Sequence, residues 1–92
     1  MKVTLQLRGP LVKKLLDGFF EIELENDAKL SDLLIEMIER EESIRKMWAS
    51  PEVVDRDALI LCNETDVGLG EGLDTKLNDG DVIVVLPLIH GG

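Results

Sequence analysis

The stretch Leu77-Asn-Asp-Gly-Asp-Val-Ile-Val-Val-Leu-Pro-Leu-Ile-His-Gly-Gly92 decides how this chain folds. Asn78-Asp79-Gly80-Asp81 has the composition of a sharp turn, since Asn and Asp tolerate left-handed backbone and Gly adopts it at no steric cost. Val82 to Leu86 is apolar without alternation, the pattern of a central strand covered on both faces. Pro87 lacks an N–H and is expected to end regular pairing. Leu88, Ile89, His90, Gly91 and Gly92 follow. Two terminal glycines have no side chain to pack and are costly to order. Residues 1–86 are therefore expected to form the domain, and residues 87–92 a flexible C-terminal tail ending in Gly-Gly.

Working outward from that strand, Lys2 to Arg8 alternates strictly, with Val3, Leu5 and Leu7 on one face and Thr4, Gln6 and Arg8 on the other, which predicts a half-buried strand. Gly9-Pro10 ends it, an apolar-basic connection runs from Leu11 to Leu16, and Asp17-Gly18 turns the chain back. Phe19 to Glu25 alternates again, with Phe20, Ile22 and Leu24 inward and Glu21, Glu23 and Glu25 outward, where charge opposes edge pairing. The period then becomes helical, because Leu30, Leu33, Leu34, Met37 and Ile38 recur at i, i+3, i+4, i+7 and i+8. Ser31 is the expected N-cap, with Asp32 in the first turn and Arg40 near the C-terminus. Ser43 to Trp48 predicts a further short helical turn stopped by Pro51, whose ring pushes Ser50 out of helical conformation. Trp48 is expected to plug the rim of the core.

Ala58 to Asn63 reads as a short buried strand, with Cys62 packing as a small hydrophobe. A polar loop, Glu64 to Asp66, and a glycine-rich loop, Gly68 to Gly72, follow, with a possible minor strand nearby. The loop spells G-x-G-x-G and opens no helix, so it is not a dinucleotide-binding fingerprint. Strand, strand, helix, strand, minor strand and central final strand make an α+β fold of the β-grasp type. It is a mixed sheet of four to five strands packed on one main helix.

Composition narrows the function. Ninety-two residues make one domain, too small to enclose a large substrate site. Asp and Glu outnumber Lys and Arg 19 to 10, and the net charge of −9 argues against a nucleic-acid partner and for a basic surface on another protein. Cys62 is the single cysteine, so no intramolecular disulfide forms and a reducing cytoplasm fits. No signal sequence or long apolar run points to export or a membrane.

Catalytic groups are few: one histidine, His90, one cysteine, no tyrosine, and no spacing that gathers metal ligands or a nucleophile with its base. Asp79 and Asp81 form a carboxylate pair, but a turn is the common home of both residues. The terminal carboxylate of Gly92 remains. It is ionised at neutral pH and is a competent nucleophile towards the α-phosphate of ATP, and the acyl-adenylate would then be open to sulfide, a cysteine or a lysine. Extended, residues 87–92 reach about 20 Å, enough to enter a recessed site in a partner enzyme.

The segment from Leu73 to Gly92 resembles the ubiquitin-like sulfur carriers in its Leu73, polar stretch, Asp79-Gly80-Asp81, apolar strand, Pro87 and final Gly91-Gly92. Leu59-Ile-Leu-Cys-Asn63 is similar to the family's apolar strand ending in Asn, with Glu64 where Gly often follows, and Leu30-Ser-Asp-Leu33 is similar to its helix entry. The resemblance implies that an E1-like enzyme spends ATP to adenylate Gly92, which becomes a thiocarboxylate. The carrier itself holds no cofactor or metal and is no enzyme. Pro87, Leu88, Ile89, His90 and Gly91 would contact the partners, the activating enzyme and a sulfur-accepting synthase or thiolase. The His90-Gly91-Gly92 ending is closer to tRNA-thiolating and modifier members and Pro87 to the molybdopterin type, so molybdopterin, thiamine and tRNA thiolation pathways all stay open. The alternatives are a modifier joined through Gly92 to target-protein lysines, and a non-covalent interaction domain.

Overall fold

The computed structural model describes residues 1–8 and 18–88. The connection expected from Leu11 to Leu16 lies outside them, as do Ile89, His90, Gly91 and Gly92. Among the described residues five strands form one sheet in the order β2-β1-β5-β3-β4: β1 (Lys2–Leu7), β2 (Phe19–Glu23), β3 (Ala58–Cys62), β4 (Thr65–Asp66) and β5 (Val82–Pro87). β5 is central, parallel to β1 and antiparallel to β3, and the other pairings are antiparallel. Three α-helices of the described residues, α1 (Leu30–Arg40), α2 (Glu42–Met47) and α3 (Pro51–Asp57), complete the β-grasp fold.

Alternation sorts the side chains as expected. Val3, Leu5, Leu7, Ile22, Ile83 and Val85 enter the core, where they meet Leu30, Leu33, Leu34, Met37 and Ile38 of α1. Burying side chains of this size contributes roughly 1.5–3 kcal/mol each, so the matched faces of sheet and helix dominate the stability. β2 ends at Glu23, short of the expected Glu25, because the Glu25 carbonyl turns to accept the Ala28 N–H at 3.1 Å.

Three expectations are corrected. Ser31 is not the N-cap of α1; Lys29 holds that position, extended at φ −104° and ψ 168°. The reason is tertiary. Leu30 N–H donates to Thr75 O at 2.8 Å and Leu77 N–H to Ala28 O at 3.1 Å, which pins the chain extended up to Lys29, and Asp32 then accepts the Lys29 N–H at 2.9 Å. Beside the one main helix, α2 and α3 are short, and the second correction concerns Pro51. Pro51 stops nothing: it is the first residue of α3, where its missing N–H costs no hydrogen bond and its fixed φ suits the helix. Ser50 is extended, as expected, but as the N-cap whose hydroxyl accepts the Val53 N–H at 3.4 Å. Finally, Trp48 is a full core residue and not a rim plug, since only 2% of its surface is accessible. The chain bends at Trp48 between α2 and α3 and drives the indole inward.

β3 and β4 form a hairpin whose two-residue turn, Asn63-Glu64, has φ values of 49° and 73°. Right-handed strand twist favours such left-handed turns, and Gly is the usual second residue. A non-glycine residue here is strained by roughly 1 kcal/mol. Glu64→Gly is therefore expected to raise the unfolding free energy by about 0.5–1 kcal/mol, the remainder being lost to glycine's freedom in the unfolded chain. A urea titration with unchanged slope checks it; no gain would show that the turn carries no strain.

Candidate functional site

The turn before β5 is a knot of polar contacts. Asp81 is buried and its carboxylate accepts the Asn78 N–H at 2.8 Å and the Asn63 amide at 2.8 Å. Asn63 Oδ1 in turn accepts the Val82 N–H at 2.9 Å. Asp79 Oδ1 accepts the Lys2 N–H at 2.7 Å, and Gly80, at φ 86°, donates its N–H to Lys2 O at 2.8 Å. The two aspartates thus serve the turn through different partners and do not face each other as an acid–base pair.

From this knot β5 carries the chain across the sheet to the candidate tail. Pairing with β1 finishes where Arg8 N–H donates to Val85 O at 3.1 Å. By the alternation of backbone groups along a strand, Pro87 directs its nitrogen to the β1 side, where it has no hydrogen to give. On the β3 side pairing continues: Pro87 stands opposite Ala58, and Leu88 N–H donates to Asp57 O at 2.8 Å. Pro87 thus ends pairing on one side only, and regular structure reaches past the boundary drawn at residue 86. Pro87 is half-buried and Leu88 is exposed, so two of the six candidate site residues sit at the end of the sheet. Ile89, His90, Gly91 and Gly92 fall beyond the described residues.

Sequence reasoning missed an apolar surface beside this exit. The helices cover one face of the sheet; on the other, a groove of about 470 Å3 is lined by Leu61, Val82, Val84 and Leu86, with Gln6 and Arg8 at its border. The signal was present in β5, whose apolar residues do not alternate. Val82, Val84 and Leu86 occupy the face that no helix of the described residues covers, so the strand's second apolar face borders this groove.

The remaining candidates are structural. The Cys62 thiol is half-buried, 3.8 Å from Asp81 Oδ2. Burial pushes its pKa up, and the nearby Asp81 charge and hydrogen bond push the same way. Such a thiol is a poor nucleophile at neutral pH. In the glycine-rich loop, Asp66 itself accepts the Gly68 N–H at 2.8 Å, so a carboxylate stands where a phosphate cradle needs free donors.

Two outcomes follow from this arrangement. Asp81→Ala leaves the Asn78 N–H and the Asn63 amide without their acceptor and is expected to cost about 2–3 kcal/mol in chemical denaturation, with Asp81→Asn intermediate. Cys62 is expected to react with iodoacetamide more slowly in the folded than in the urea-unfolded chain at pH 8. Because the folded pKa is raised, its contribution to stability is complete below the ordinary thiol range, roughly pH 8.5, and is lost as pH rises through the folded value. Equal rates would show an unperturbed thiol.

Comparison with known proteins agrees with this geometry. The model of the ThiS family matches residues 12–92. Among solved structures, a chain provisionally named molybdopterin converting factor, subunit 1, from Pyrococcus furiosus is 26% identical, covers 97% of this chain and 99% of its own, and superposes with a TM-score of 0.74. A chain of the complex between subunits 1 and 2 of molybdopterin-converting factor from Helicobacter pylori is 28% identical over 100% of both chains, with a TM-score of 0.61. Small archaeal modifier protein 1 from Methanosarcina acetivorans, 22% identical over 99% of this chain and 96% of its own, has a TM-score of 0.76 and shares the fold. A search of curated proteins finds no match.

Proposed function

Since this chain belongs to the ThiS family of ubiquitin-like sulfur carriers, we propose that it carries sulfur as a thiocarboxylate on Gly92. The observation that supports this most is the path of β5: the central strand, fixed by the Asp81 knot, delivers the chain to the end of the sheet at Leu88 beside an open apolar face. Four residues follow, which extend at most about 13 Å. Their two glycines let a partner's walls close around bare backbone.

In the proposed reaction a carboxylate oxygen of Gly92 attacks the α-phosphorus of ATP on an E1-like partner. A P–O bond forms and pyrophosphate leaves. Sulfide, or a sulfur donor equivalent to it, then adds to the carbonyl carbon of the acyl-adenylate and AMP departs, so one oxygen has been replaced by sulfur. All catalytic groups belong to the partner; this chain supplies the reacting atom and the surface that is held. Leu61, Val84 and Leu86 suit that surface, because desolvating apolar groups in a groove favours association without strict geometry. Pro87 limits the freedom of the tail's base, which lowers the entropy lost on threading. The H. pylori relative, solved as a complex of two subunits, supports a synthase subunit as sulfur acceptor.

Incubating the chain with the activating enzyme, ATP and sulfide is expected to raise its intact mass by about 16 Da, the difference between sulfur and oxygen. Gly91→Ala should abolish most of that gain while leaving the thermal midpoint unchanged. An unchanged wild-type mass, with an enzyme shown to be active on another carrier, would refute the reading. Isopeptide-linked Gly-Gly remnants on lysines of other proteins would instead favour the modifier.

A further inference from the structure

A second groove, of about 480 Å3, lies at the other flank of the molecule, between the end of β2 and α1. Leu24, Ala28 and Ile35 give it an apolar lining, and Ile35 keeps 42% of its surface accessible although it sits in the middle of α1. Glu23, Glu25, Asp27 and Glu36 border it. Glu36 shares Arg40 at 3.5 Å and Glu21, on the adjoining strand, shares Lys2 at 3.8 Å, whereas Glu23, Glu25 and Asp27 meet no cation at ion-pair distance among the described residues.

The groove adjoins an edge of the sheet to which no other strand of the described residues pairs. β2 is an outer strand and pairs only with β1 among the described residues. Leu24 N–H donates to Met1 O at 2.8 Å, the Met1 ammonium donates to Leu24 O at 2.7 Å, and Gly18 O accepts the Leu7 N–H at 2.8 Å. Even-numbered residues of β2 therefore turn their backbone groups to β1, and Glu21 and Glu23 turn theirs outward. The side chains of Glu21 and Glu23 lie on the face opposite Ile22, which is in the core.

We propose that this edge and groove dock an extended segment of a partner protein in which apolar residues alternate with Lys or Arg. Strand geometry sets the pattern. A segment paired to Glu21 and Glu23 through its backbone sends alternate side chains to the helix side, where Leu24 and Ile35 await apolar groups. The others point to the opposite side, beside the carboxylates of Glu21 and Glu23, where cross-strand neighbours of opposite charge are favourable. Glu25 and Asp27 remain for cations flanking the strand. The same carboxylates reject a second copy of this chain, which carries net charge −9 and would set glutamate against glutamate. The docking involves neither the tail nor its activation, so it stands or falls separately from the carrier chemistry.

The test titrates the isotope-labelled full-length chain with an end-blocked Lys-Val-Lys-Val-Lys-Val-Lys peptide at low salt and follows amide resonances. Shifts are expected at residues 19–28 and 32–36, with slowed solvent exchange of the Glu21 and Glu23 amides. The triple variant Glu21→Gln, Glu23→Gln, Asp27→Asn should weaken binding by about tenfold. The same peptide N-methylated at every backbone amide, with the same charge but no backbone donors, should not bind the edge. Equal binding of the methylated peptide would reduce the effect to an ion cloud. Shifts centred on Leu61 and Val84, shifts scattered over the acidic surface, or no shifts at all would each overturn the proposal.

Discussion

The buried Asp81 carboxylate fixes what hydrophobicity leaves open. β5 is apolar on both faces, so sliding it by one residue would exchange one apolar set, Ile83 and Val85, for another, Val82, Val84 and Leu86. A strand with one polar face is held against such a slip by the cost of burying that face; this one is not. Its register comes instead from the turn in front of it. Asp81 fixes Asn63 at the end of β3, while Asp81 O accepts the Thr4 N–H at 2.9 Å from β1. One four-residue turn thus sets the central strand against both neighbours. The polar groups concerned are fully partnered, so the specificity is not offset by desolvation.

Fixing β5 divides the molecule's labour. Ile83 and Val85 close the core under the helices, and the opposite residues line an open apolar groove. A strand that is interior by position thus has one face fully packed under the helices and another that borders a groove. Its end is shaped by the same logic. Pro87 cuts pairing to β1, Leu88 keeps one hydrogen bond to Asp57, and the chain leaves from the middle of the sheet, where its point of departure is firmly held. A tail rooted on an edge strand would wander with that edge.

The period-two and period-3.6 patterns were enough to place β1 and α1, because in each the buried face is chosen by burial energy alone, and unbroken apolar runs were enough to place β3 and β5. The features that were not legible depend on contacts distant in sequence or on a residue with two meanings. Pro51 either ends or begins a helix, and only Trp48 packing inward and Ser50 capping Val53 select the second. Ser31 has the chemistry of a cap, but the bridge between the Ala28–Leu30 segment and Thr75–Leu77 fixes the boundary two residues earlier. Of the candidate site, Pro87 and Leu88 are placed by the sheet. The apolar face over β5 is encoded in that strand's missing alternation, a pattern it shares with strands buried on both faces.

The acidity of the chain takes on meaning once the surfaces are located. Carboxylates ring the β2–α1 groove, whereas the groove over β5 is bordered by Arg8, Gln6 and a single acidic residue, Glu64. The two lie on different parts of the sheet: Leu24 pairs with Met1 on the outer flank of β1, whereas Val82, Val84 and Leu86 run along β5 on its inner flank, from the level of Thr4 onward. Under the two proposals, a basic segment at the first and an apolar partner at the second would meet different residues. In that proposed arrangement charge would steer approach at long range, and the apolar face would decide which contact persists once water is expelled.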